Sequence, residues 1–416
     1  MSNLRYLARP LAFLAPLLLL TLLLGVTSCG NSVFSTSGSS TASPTSTSTA
    51  TGGGFAFITN YSSGYITEFK RNISTGVLTY NTRVAAGAAS GPKGIAITSN
   101  NAFLYATNVK DGNIYQYTVG ADGTLTPMTP PSVSNGVNSS PEQAVTLSIS
   151  SVPTWLFVSN FGEGSISAYP ITSAGPLGKA VTTSGAGMSG PFGLAVNAAG
   201  TILYASDNAR GTIYAFSINT TTGALSNILG SPIASQGSTF GSPGLIALGP
   251  VISSGTIPGS YLLVGDTNAS NEIVSLFFIT SSSTGVPGFV TQAIPSSSAA
   301  IGVAWATSTV AGTEIALSAN QSTGATASGS ITSYILSGNA LSNSNNVLSI
   351  NGPTDIVVDP QNVFAYSTNQ GDGTLSQYQL NATCSGSTQT ICLTPNTKSS
   401  DPKISNPGPF GIVLTN

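Results

Sequence analysis

Pro92-Lys-Gly-Ile-Ala-Ile-Thr98, a polar turn, Phe103-Leu-Tyr-Ala-Thr-Asn108, a second turn, Ile114-Tyr-Gln-Tyr-Thr-Val119 and then Gly120-Ala-Asp-Gly123 form the stretch that decides the fold. Its three runs are short and rich in β-branched and aromatic residues. Gly, Asn, Asp and Ser bound each one. Those are the marks of strands joined by tight turns. Beyond the amino-terminal leader no window sustains a 3.6-residue apolar period, so helices are not expected.

The unit recurs. The second run with its Asn or Asp turn appears seven times, with turns at Asn60, Asn108, Asn160, Asp207, Asp266, Asn320 and Asn369. The spacings are 48, 52, 47, 59, 54 and 49 residues. The opening run, Pro-x-Gly-Ile-Ala in its regular form, starts at Pro92, Pro141, Pro191, Pro243, Pro353 and Pro409, with a degenerate copy at Ala300-Ile-Gly-Val-Ala-Trp305. A fixed period of about fifty residues with four short strands per unit predicts a repeat architecture. The order at the two ends then selects which one. The body begins on a second strand at Phe55 and finishes on a first strand, Phe410-Gly-Ile-Val-Leu414. A linear array would leave both edges unpaired, whereas a ring joins them in one sheet. The sequence therefore predicts an all-β, seven-bladed β-propeller of four-stranded antiparallel blades over residues 55–416. Pairing of the N- and C-terminal strands closes it.

Arg5 and Arg9 precede an apolar run from Leu11 to Leu24. That is short for a bilayer span and suited to an export signal, expected over residues 1–28. The signal ends Val26-Thr-Ser-Cys29, which resembles the lipobox of bacterial lipoproteins. The resemblance implies lipidation of Cys29 and attachment to a membrane, with Gly30 after the cysteine pointing to the outer membrane, periplasmic or surface side. Residues 29–54 are mostly Ser, Thr, Ala, Gly and Pro and read as a flexible tether. The remaining pair, Cys384 and Cys392, is expected to form a disulfide in an oxidising compartment. Two thiols do not fill a tetrahedral metal site, so no metal is expected there.

The repeats resemble the seven-bladed lactonase-type propellers, the family of 6-phosphogluconolactonase and its cycloisomerase relatives, and the related YVTN surface repeats. Pro92-Lys-Gly-Ile-Ala-Ile, Phe103-Leu-Tyr-Ala-Thr-Asn108, Ile114-Tyr-Gln-Tyr and Gly123-Thr-Leu carry the likeness. It implies lactone-opening chemistry, but a fold does not fix an activity.

Composition narrows the choice. Charged residues make up 6% of the 416, with 11 Lys+Arg, 13 Asp+Glu and no histidine. Eleven cations supply no basic stripe for nucleic acid. Without histidine there is no Ser-His-Asp triad, imidazole base or His-ligated metal. No cofactor is expected. In a propeller, the loops entering the first strands and those between second and third strands share one face. Half of the charged residues beyond the leader fall there, while the opposite-face turns hold chiefly Asp122 and Asp359. Scarce charge gathered on one rim predicts a ligand-facing channel mouth.

The candidates are Lys93, Glu142 and Asp355 beside the inner strands, with Arg210 and the aromatic Phe192 and Phe410. Tyr61, Phe161 and Phe240 are read as rim packing, and most turn Asn and Asp as makers of local hydrogen bonds to backbone amides. Glu142 or Asp355 is available as a general base, while the few basic residues suit phosphate poorly. The favoured reading is a monomeric, envelope-anchored module binding a protein, glycan or small molecule. A lactonase-type hydrolase acting on a lactone or carbohydrate ester is the alternative. The near-neutral Ser/Thr/Gly-rich exterior predicts stability that changes little between about pH 3 and 7.

Overall fold

The computed structural model describes residues 53–416 apart from 88–90, 137, 151, 184–186, 237–240, 253–258, 269–272, 281–284, 295–298, 308–312, 322–328, 382–391 and 401–407. The leader, Cys29 and Cys384 lie outside the described residues, and with them the lipidation and disulfide expectations. Described residues fold into seven antiparallel sheets with no helix. Each sheet is a four-strand meander, and in the fourth the outer strand is split into Leu225–Asn227 and Ile233–Ala234.

The innermost strands are the predicted opening runs: Pro92–Ile97, Pro141–Ile149, Pro191–Val196, Pro243–Ile252, Ala299–Thr307, Pro353–Val358 and Pro409–Leu414. Closure follows the split repeat. Pro409–Leu414 pairs antiparallel with Gly53–Asn60, in register Ala56 to Leu414 and Phe57 to Val413. The first strand starts at Gly53, two residues earlier than Phe55. We number the blades from this closing one.

The core is not one mass but seven clusters among the described residues, each shared by two adjacent blades. Trp155, Phe157 and Ile166 of the third blade, for example, pack on Leu194, Tyr214 and Phe216 of the fourth. Ala56, Ile58 and Ile412 of the first blade pack on Phe364, Tyr366 and Leu375 of the seventh. No blade buries its apolar faces alone, which is why the ring must close. Large side chains on the second strands also reach the outer turn of the next blade. Tyr105 Oη donates to Gly175 O at 2.6 Å, Trp155 Nε1 to Thr220 O at 2.9 Å and Tyr366 Oη to Gly76 O at 2.9 Å.

Every inner strand carries a register shift at its Pro-x-Gly segment or the equivalent, between Pro92 and Ile95 in the second blade and between Pro353 and Asp355 in the seventh. Proline brings no N–H to the ladder, and the residues after it lift off their neighbour as a bulge. In five blades a hydroxyl just before the turn Asn or Asp repairs the loss. Thr107 Oγ1 accepts from Gly94 N at 2.9 Å and donates to Glu142 O of the next blade at 3.3 Å. Ser206 Oγ accepts from Gly193 N at 2.8 Å and donates to Gly244 O at 2.6 Å. Thr59, Ser159 and Thr368 repeat the pattern. The fifth and sixth blades have Gly265 and Ala319 there instead. A Cβ on Gly265 would lie 2.2 Å from Ala300 O, so a hydroxyl-bearing side chain has no room.

One of the two charges expected on the opposite face, Asp359, has an interior partner. Arg71, fully buried, donates to Asp359 Oδ2 and to Thr415 O, each at 3.2 Å, and to Gln361 Oε1 at 3.3 Å. It ties the seventh blade to the closing one. The turn residues are more varied than simple amide acceptors. Asp207 does accept from Ser189 N and Gly190 N, but Asn160, Asn320 and Asn369 donate their side-chain amides to hydroxyls on the third strands.

Candidate functional site

The inner bulges meet at the end of the channel where the first strands begin, around a funnel of about 320 Å³ including its open mouth. Its walls are the residues after each proline. Lys93, Glu142, Phe192 and Phe410 come from the middle position; Gln143, Leu245 and Asp355 come from the position that is glycine in the other four blades.

That third position alternates around the ring: Gly411, Gly94, Gln143, Gly193, Leu245, Gly302, Asp355. The glycines sit against the next blade's backbone. A Cβ on Gly94 would lie 2.4 Å from Glu142 O, and one on Gly302 would lie 2.8 Å from Asp355 Cα. Small alternating with large fills a tapering channel, but seven is odd, so two glycines must be neighbours. They are Gly411 and Gly94, and both line the funnel.

The electrostatics are compact. The Lys93 ammonium pairs with the Glu142 carboxylate, the two side chains being 15% and 10% exposed. It also sits 4.6 Å from the ring centre of Phe410 and 5.1 Å from that of Phe192, within cation–π range of both. Asp355 is half-buried. Its Oδ1 accepts from Ile356 N at 2.8 Å and its Oδ2 from Ile412 N of the closing blade at 3.3 Å. Burial raises this carboxyl to about 7, against the lowering pull of those two amides. Gln143 makes the matching contact on the other side of the ring, its Oε1 accepting from Leu194 N.

Five of the six predicted residues thus share one cavity: Lys93, Glu142, Asp355, Phe192 and Phe410. Arg210 does not line it. It is exposed on the turn between Ile202–Asp207 and Thr212–Ile218, where its N–H bonds to Asp207. Asp355 also needs a correction, since it stands in the glycine position rather than beside the counterparts of Lys93 and Phe192. Gln143 and Leu245 were missed. Their signal was present as the loss of glycine in an otherwise regular motif. Tyr61 and Phe161 lie outside the cavity, and Phe240 lies outside the described residues. No group of three His, Cys, Asp or Glu among the described residues is placed to hold a metal ion.

The family model described as lactonase, 7-bladed β-propeller, matches residues 55–193, which span the first three blades and the start of the fourth. The described residues form a seven-bladed propeller, as the repeats suggested, and its first three blades carry the match to that model. Solved structures extend the fold likeness over the body. The periplasmic gluconolactonase of Pseudomonas aeruginosa superposes with a TM-score of 0.64 at 13% identity, over 88% of this chain and 99% of that one. A Bacteroides fragilis protein described as a candidate 6-phosphogluconolactonase gives 0.64 at 14% identity, over 89% and 99%. A protein from Lactobacillus plantarum gives 0.65 at 15% identity, over 88% and 100%. A search of the curated proteins found no match.

Proposed function

We propose that this protein is an envelope-tethered propeller whose channel mouth binds a small ligand. The observation that carries this reading is the departure from glycine at Gln143, Leu245 and Asp355, in a ring that elsewhere tolerates no side chain, together with Lys93, Glu142 and two phenylalanines in the same funnel. A purely structural plug needs no buried charge, and burying charge is costly. Carboxylates beside apolar rings suit a polyhydroxylated ring, whose hydroxyls donate while its C–H face stacks. The tether and the lipobox-like Val26-Thr-Ser-Cys29 support placement at the envelope.

The second reading is hydrolysis of a sugar lactone, and Asp355 favours it. A carboxyl titrating near 7 takes a proton from water at neutral pH. In that reaction the water oxygen bonds to the lactone carbonyl carbon, the ring C–O bond breaks, and Asp355 returns the proton to the departing ring oxygen.

A panel of sugar lactones incubated with the full-length protein and its Asp355→Asn variant separates the two readings. Saturable binding with opening no faster than in buffer is the expected result for a binding module. Catalysed opening that disappears in Asp355→Asn while binding persists establishes the hydrolase. Binding of no panel member at millimolar concentration overturns the small-ligand reading.

A further inference from the structure

We infer that the channel mouth selects by charge, accepting an uncharged polyhydroxylated ring and rejecting its phosphorylated or carboxylate-bearing counterparts. The inference rests on the small-ligand reading above and specifies the class of ligand.

An anion is held most strongly by a free cation. The funnel offers none among its described groups. Its one cation, Lys93, is neutralised by Glu142 and held between the Phe192 and Phe410 rings. The nearby cations of the same face are elsewhere. Lys110 lies over the Tyr61 ring at 5.7 Å, and Arg210 is on an exposed turn; neither lines the funnel. Eight amides of the bulges are taken as well. Those of Gly94, Gln143, Gly193, Asp355 and Gly411 each donate to a Ser or Thr hydroxyl of their own blade. Those of Leu194, Ile356 and Ile412 donate to Gln143 or Asp355. What the walls present is two carboxyl groups against one ammonium, and two ring faces. Two carboxyl groups with no free cation fit hydroxyl-rich neutral molecules. They also repel the carboxylate that forms when a lactone opens.

The test is calorimetric titration of the full-length protein with glucono-δ-lactam, a ring that resists hydrolysis, with its 6-phosphate and with gluconate. Charge selection predicts that the phosphate and gluconate bind at least about tenfold more weakly than the lactam. Glu142→Gln frees the Lys93 charge and is expected to narrow that ratio, with the lactam affinity serving as the check that the site survives. Asp355→Asn, which removes the other carboxylate, is expected to narrow it too. Equal or tighter binding of the phosphate by the unaltered protein overturns charge selection while leaving the small-ligand site standing. Failure of all three to bind overturns the site itself, and charge selection with it.

Discussion

Deleting Pro409–Asn416 is expected to abolish the cooperative fold, although the cut removes only the last eight residues. Three losses coincide. The strand Gly53–Asn60 loses its inner partner and becomes an open edge that invites aggregation. Ile412, Val413 and Leu414 leave two of the seven inter-blade clusters, and each buried aliphatic side chain is worth about 1.5–3 kcal/mol. Arg71 loses the Thr415 carbonyl, and Asp355 loses the Ile412 amide. Together these approach the whole stability of a typical domain, about 5–15 kcal/mol. Circular dichroism and urea unfolding of the truncated chain check it, and a cooperative transition within about 1 kcal/mol of the parent would contradict ring closure. Arg71→Met is the milder form. It strands the Asp359 carboxylate in the interior, with an expected loss of about 3–5 kcal/mol.

Acidification from pH 8 to 5 is expected to stabilise the protein. Burial raises the carboxyls of Glu68, Glu314 and Asp355 to about 7 each. For Glu68 the Leu125 amide opposes the shift and the Asp122 charge adds to it. The sign follows from linkage. Above pH 7 these groups are ionised in both states, and the folded protein bears the cost of keeping them charged. As pH falls through 7 the folded state takes up protons first, so stability rises until the unfolded chain also protonates near pH 4. Screening by partial exposure reduces the sum to an order of about 3 kcal/mol. Asp359 shifts the same way through burial, while the exposed Asp122 shifts down through its bonds to Thr124. This replaces the pH-insensitive behaviour that the sparsely charged exterior suggests, because the titrating groups are interior ones. Urea midpoints across that range are expected to climb toward pH 5 and to climb less in Glu68→Gln. A steady fall would contradict the placement of these carboxyls.

Much of the architecture was legible because propeller blades are local. Each meander lies within about fifty residues, and its prolines, turn asparagines and alternating aromatics announce themselves. Closure was legible from the split repeat at Phe55 and Phe410. What stayed hidden crosses between blades. Arg71 and Asp359 are 288 residues apart, and no spacing rule links them. The hydroxyls of Thr107 and Ser206 look like ordinary strand residues until the next blade's carbonyl is in place. Charge on one face led to Lys93, Glu142 and Asp355, yet the same criterion pointed to Arg210, which sits on an outer turn. Rim membership does not measure distance from the axis. Departure from the motif does, and it would have added Gln143 and Leu245.

The central claim is that the bulged starts of the inner strands hold a ligand. Hydrogen exchange of the full-length protein with and without glucono-δ-lactam, read by mass spectrometry, tests it most directly. Slowed exchange is predicted, confined to residues 92–95, 141–145, 191–194, 243–246, 353–356 and 409–412. Protection on the outer strands instead, or none at saturating lactam, would contradict it.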